Sequence, residues 1–144
     1  MVFDNINTTF SKAGHWLAQG TIFCDLDGTI VRHENKPSYD SDLILLPSTN
    51  EKLQHWIDIG YKIVICTARD SKDKEKLIES LEKAEVPYHE LIMGLQSGPR
   101  YVINDRKPSE ILISQAQSRE VSRDSGIQNV SLSYSDQQGT YTKI

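Results

Sequence analysis

Cysteine is scarce in this 144-residue chain: Cys24 and Cys66 are the only two, and each closes a short apolar run. Two thiols cannot supply a secreted disulfide framework, so they read as reduced, buried side chains. No apolar run approaches the roughly 18 residues of a membrane span. The opening Met1-Val2-Phe3-Asp4-Asn5 lacks the basic start and long apolar stretch of a secretory signal. The expected location is therefore cytoplasmic, with no membrane partner. Positive charge is also in deficit: 16 basic against 20 acidic residues leave a net charge of −4 and a pI near 5.5. Without a basic stripe, a nucleic-acid backbone is a poor partner, although a small anion can still find a local basic pocket. Internal repeats and low-complexity blocks are absent, which excludes solenoids and arrays.

What is present suits one globular domain. Hydrophobic residues make up 38% and charged residues 25%, enough to bury a core. We read 1–144 as a single domain, with a core at about 20–117 and a polar C-terminal segment at 118–144. Four short apolar runs stand out: Thr21–Cys24, Tyr61–Cys66, Leu91–Met93 and Tyr101–Ile103. Such runs fit strands of a parallel sheet covered on both faces. Between them lie helical patterns. Ser48 and Glu51 form a capping box ahead of Leu53, Trp56 and Ile57, and Gly60 ends that helix. Asp70 or Ser71 can cap a second helix, with Leu77, Ile78, Leu81 and Ala84 inward and Pro87 beyond it. A third helix is expected near Pro108, carrying Ile111 and Leu112. The alternation predicts an α/β fold with a central parallel sheet. Residues 30–46 read as an excursion, and Val130–Tyr134 alternates enough for an edge strand.

Ligands of parallel α/β sheets bind at the carboxyl ends of the strands. Here those ends carry Asp25-Leu26-Asp27-Gly28-Thr29, Thr67-Ala68-Arg69-Asp70 and Asn104-Asp105-Arg106-Lys107. Asp25 and Asp27, two apart in extended chain, face the same side. Gathering them with Asp105 would crowd like charges, and Mg2+ would relieve this because it takes oxygen ligands beside a phosphate. Gly28 permits a tight turn, and the Thr67 hydroxyl can bond a phosphate oxygen. A calcium loop starting at Asp25 fails, since its sixth and twelfth positions are Ile30 and Lys36.

This ordered set, from Ile22 to Pro108, resembles the haloacid dehalogenase superfamily of phosphohydrolases. The resemblance implies a Rossmann-like three-layer α/β/α fold. It also implies Asp25 as the nucleophile that forms an aspartyl-phosphate, with Asp27 as general acid and then base. Asp27 argues for phosphoryl rather than halide chemistry. Thr67, with Ala68 and Arg69 in the same loop, would hold the phosphoryl group. Mg2+ would sit on Asp25, the Asp27 backbone carbonyl and Asp105. Asn104 stands where the family often has a second acidic residue and is a further candidate ligand. Arg100 is the first choice for the cation that offsets phosphoryl charge, Lys107 the second, and Arg69 is a candidate for contacting substrate. Leu91–Gly94 and Tyr101–Pro108 also resemble small bacterial members of capsule or lipopolysaccharide sugar pathways, which points to a sugar phosphate.

The excursion at 30–46 is too short for a full cap domain. An open site either admits a large substrate or is covered by a second copy, so a homo-oligomer is a further expectation. The functional expectation is a Mg2+-dependent phosphatase of a small phosphorylated metabolite. The alternatives are a phosphatase of phosphoproteins or nucleic-acid ends, or a non-catalytic module that binds phospho-ligands. His15, His33, His55 and His89 share no ligand spacing and read as surface or packing residues, as do Trp16 and Trp56. Arg119 to Arg123 are further candidates for reaching substrate, which the sequence does not show.

Overall fold

The computed structural model of the chain describes residues 18–106, 114–135 and 141–143. Strands β1 (Gly20–Asp25), β2 (Tyr61–Cys66) and β3 (Glu90–Ile92) form a parallel sheet in that order. Helix α1 (Thr49–Asp58) joins β1 to β2, and α2 (Lys74–Lys83) joins β2 to β3. Asp25 stands opposite Cys66, and Cys66 opposite Ile92, so the three carboxyl ends are level. This is the expected α/β fold on a parallel sheet.

Both crossovers advance in the same direction, so right-handed connections put α1 and α2 on one face. Side-chain burial agrees. Ile22, Cys24, Ile63, Ile65 and Leu91 share a core with Leu53, Trp56, Ile57, Leu77 and Leu81. Phe23 and Ile92, on the alternate face, are 61% and 42% exposed. Burial on both faces therefore holds for Ile63–Cys66 of β2 but not for β1 and β3 among the described residues.

The helix boundaries fall near those read from the sequence, but their chemistry differs. Ser48 makes no side-chain cap bond and sits in the left-handed region at φ 61°. Thr49 takes over the local bonding, its hydroxyl donating to the carbonyls of Ile30 and Leu46. Asp70 does cap, accepting from the Lys72 amide, but what it caps is a 3₁₀ turn at Ser71–Asp73 ahead of α2. On α2 only Leu77 and Leu81 are fully buried; Ile78 and Ala84 are half-buried.

Two expectations at the C-terminal side are corrected. Tyr101–Ile103 is not a strand: residues 101–106 are irregular, and Tyr101, Val102 and Ile103 are 85%, 56% and 97% exposed. The preceding residue, Arg100, lies at the carboxyl end of the sheet beside Asp25 and the Cys66 carbonyl, whereas a further parallel strand would have to enter at the amino end. The second correction concerns the edge strand expected at Val130–Tyr134. The strand there, β4 (Ser133–Ser135), pairs antiparallel with β5 (Tyr141–Lys143) in a separate two-stranded sheet. The polar segment after residue 117 also reaches the core, since Ile127 is buried and Val130 and Leu132 pack against it. The helix expected near Pro108, together with His15 and Trp16, lies outside the described residues.

Candidate active site

The turn after β1 builds the site's floor. The amides of Thr29, Ile30 and Val31 all converge on the Leu26 carbonyl, and the Gly28 amide donates to Val31. Gly28 is buried at φ 82°, a conformation that favours glycine. The tight turn brings Thr29 back over Asp25, whose Oδ2 accepts from the Thr29 hydroxyl at 2.8 Å. The other carboxylate oxygen, Oδ1, pairs with Arg100 Nη1 at 3.0 Å, both side chains being a little over one-third exposed.

Asp27 is held more tightly. Its two oxygens accept from Arg69 Nε and Nη2 at 2.9 and 2.6 Å, a bidentate fork that only arginine can make. The Arg69 side chain is only 6% exposed. Burial by itself would lower its pKa, but the hydrogen bonds and charge of Asp27 outweigh this and hold the guanidinium charged, above its ordinary range. Tyr39, from the excursion, lies with its ring 5.4 Å from the guanidinium. Arg69 Nη1 is buried and has no hydrogen-bond acceptor. While the fork is closed, neither Asp27 oxygen is free to carry a proton to a leaving group.

Thr67 is buried at the end of β2, where its hydroxyl accepts from the Arg69 amide at 3.1 Å. Its backbone is fixed by Ile92 and Leu95. Ala68 is exposed beside it. The excursion folds back on itself through Asp27–Val31 and Val31–Leu45 bridges, so it forms a flap and not a cap domain.

The structure thus gathers Asp25, Asp27, Thr67, Ala68, Arg69 and Arg100. It does not gather Asn104 and Asp105, which are exposed; there the Asn104 amide donates to Asp105. Lys107 lies outside the described residues. Among the described residues no three His, Cys, Asp or Glu side chains converge on a metal position. With Arg100 on Asp25, Arg69 on both oxygens of Asp27, and Asp105 exposed and outside any such cluster, the donor set implied for Mg2+ is not assembled. In this arrangement the residues do not fit the ion.

Three participants were not legible as such in the sequence. Thr29 sits inside the motif, but its bond to Asp25 depends on the turn. Tyr39 carries no local signal. Arg123 arrives from the C-terminal segment, its Cγ 3.2 Å from where a Cβ on Gly28 would lie. The cysteines are free and buried, as expected, and burial and the neighbouring Asp25 raise the Cys24 pKa to about 12. His89 is a packing residue, its Nδ1 accepting from the Ile63 amide. Among the described residues no helix is long and apolar enough to cross a membrane.

The ends of β1 and β2 thus bring two carboxylates and two arginines together on an α/β fold. A family model for haloacid dehalogenase-like hydrolases matches residues 22–134, and the chain belongs to that family. Among solved structures, a structural-genomics protein from Vibrio cholerae is 27% identical, with a TM-score of 0.46, covering 63% of this chain and 85% of its own. A chain of a Pnkp1/Rnl/Hen1 complex is 23% identical with a TM-score of 0.46, covering 58% of this chain and 30% of its own. A second structure, of the Pnkp1/Rnl/Hen1 RNA repair complex, is 20% identical with a TM-score of 0.45, covering 67% of this chain and 31% of its own. No curated protein matches the chain.

Proposed function

We propose that the chain is a phosphomonoester hydrolase acting on a small phosphorylated metabolite such as a sugar phosphate. The supporting observation is the convergence of two carboxylates and two guanidiniums at the level ends of β1 and β2. Asp25 attacks phosphorus through one carboxylate oxygen as the bond to the leaving oxygen breaks. Thr29 and Arg100 orient that carboxylate beforehand, so little rearrangement remains at the moment of attack. Arg69 releases one oxygen of Asp27, which takes up a proton from solvent and delivers it to the leaving oxygen as the bond from that oxygen to phosphorus breaks. Asp27 then takes a proton from water, and the water oxygen cleaves the aspartyl-phosphate. The buried, unpartnered Nη1 of Arg69 is a donor awaiting an acceptor, a role a phosphoryl oxygen fills. Arg100 is placed to offset charge on the same group.

The family resemblance implies magnesium dependence, the arrangement described above does not assemble the ion's ligands, and no step above is routed through the ion. The decisive experiment measures phosphate release from sugar phosphates, nucleotides and an aryl phosphate, with Mg2+ or with chelator. Asp25→Asn is expected to lower turnover by at least about a thousandfold. Substantial activity surviving in that variant would remove Asp25 from the reaction. Activity unaffected by chelator would remove the magnesium requirement and leave the hydrolase standing.

A further inference from the structure

Arg123 reaches the catalytic loop from far along the chain, and its position is built. Ile127, four residues on, is buried in the core and anchors the segment. Gly126 turns at φ 83° against the Pro47 carbonyl, 3.3 Å from where a Cβ would lie. The Asp124 amide donates to the Gly28 carbonyl at 2.8 Å, and Asp124 Oδ1 accepts from the His33 amide at 2.8 Å. Asp124 itself adopts φ 63°, outside the range most residues prefer. The C-terminal segment therefore clamps both the motif turn and the start of the flap. Between these two bonds the Arg123 stem lies across Gly28, one residue from Asp27.

Three other arginines are already matched. Arg69 holds Asp27 and Arg100 holds Asp25. Arg119, nearby in sequence, is committed through all three guanidinium nitrogens, to Ser131, Ser118 and Gln117. It lines a separate cavity of about 570 Å³ that includes neither carboxylate. Arg123 alone of these has an exposed guanidinium without a hydrogen bond or ion pair among the described residues. A planar fork whose stem lies against Gly28 and which has no partner among the described residues is suited to a carboxylate or phosphate.

We propose that Arg123 determines specificity by binding a second anionic group on the leaving-group side of the substrate. The proposal rests on the phosphatase reading above. Its chemical class is a phosphomonoester whose leaving group bears a further phosphate or a carboxylate. The flap residue His33, whose Cβ lies 3.7 Å from the same point over Gly28, borders that position.

The test compares kcat/KM for a neutral sugar monophosphate, a sugar bisphosphate and a phosphorylated hydroxy acid, in wild type, Arg123→Ala and Arg123→Lys. Wild type should prefer at least one doubly anionic compound, and which one distinguishes a phosphate from a carboxylate as the second group. Arg123→Ala should reduce that preference about tenfold, chiefly through KM, and Arg123→Lys should restore part of it. Lys76→Ala, which removes the same charge from α2, should leave the preference intact. Thermal melts establish that each variant is folded. Hydrolysis with no preference, or with one that survives Arg123→Ala, overturns the assignment of Arg123 while the hydrolase stands. No hydrolysis of any compound by wild type overturns the hydrolase and this assignment with it.

Discussion

Asp27 and Arg69 show how much one pair of side chains organises. They come from the ends of different strands, and their fork fixes the loop after β2 against the loop after β1. At 18% and 6% exposure the pair is mostly out of water, so removing one partner leaves the other poorly solvated. A double-mutant cycle with Asp27→Asn and Arg69→Lys should give a coupling of about 1–3 kcal/mol in urea unfolding. A coupling below about 0.5 kcal/mol would mean that the fork does not hold the loops together. The carboxylates were legible in the sequence because strand alternation puts positions 25 and 27 on one side. Their partners were not: Arg69 was assigned to phosphate or substrate, because nothing local says which carboxylate a guanidinium will meet.

At the scale of elements, spacing was a good guide to where helices and strands lie and a poor one to how they end. The capping box at Ser48 and Glu51 is present as sequence, yet the carbonyls of Ile30 and Leu46 draw the chain so that Ser48 turns left-handed and Thr49 bonds instead. Ser48→Ala should therefore be close to neutral, where a working cap would cost about 1 kcal/mol. Ser48→Gly should stabilise by about 0.5–1 kcal/mol by relieving the left-handed conformation. Urea midpoints for the two variants separate the cases, and a clear loss in Ser48→Ala would restore the cap. Tyr101–Ile103 illustrates the converse. Its apolar run matches a strand, but the charge on the preceding residue, Arg100, is satisfied at the sheet's carboxyl end.

For the molecule as a whole, His89 links packing to pH. It is buried between β2 and β3, and its Nδ1 accepts the Ile63 amide, which requires that nitrogen to be unprotonated. Burial lowers its pKa below the ordinary 6.5; Lys62 adds to this, while the Ile63 bond and Glu90 oppose it. The unfolded chain then binds the proton more readily than the folded one. His89 thus contributes stability that is fully present above about pH 6.5 and is lost as pH falls through the lower folded value. Urea midpoints should drop across that window in wild type and drop less in His89→Gln. Equal slopes would remove His89 as the cause.

The order β1, α1, β2, α2, β3, the parallel sheet these strands form and the first two strand-end motifs followed from the sequence alone. Each depends on local periodicity or on spacing within a few residues, and local sterics act at that range. Which arginine answers which aspartate, and where the 118–132 segment returns, were decided only by tertiary structure. Those outcomes join residues 42 and 91 positions apart in the Arg69–Asp27 and His33–Asp124 bonds. Burial of Ile127 and the satisfaction of charge at level strand ends select them, and neither quantity exists until the chain has closed on itself.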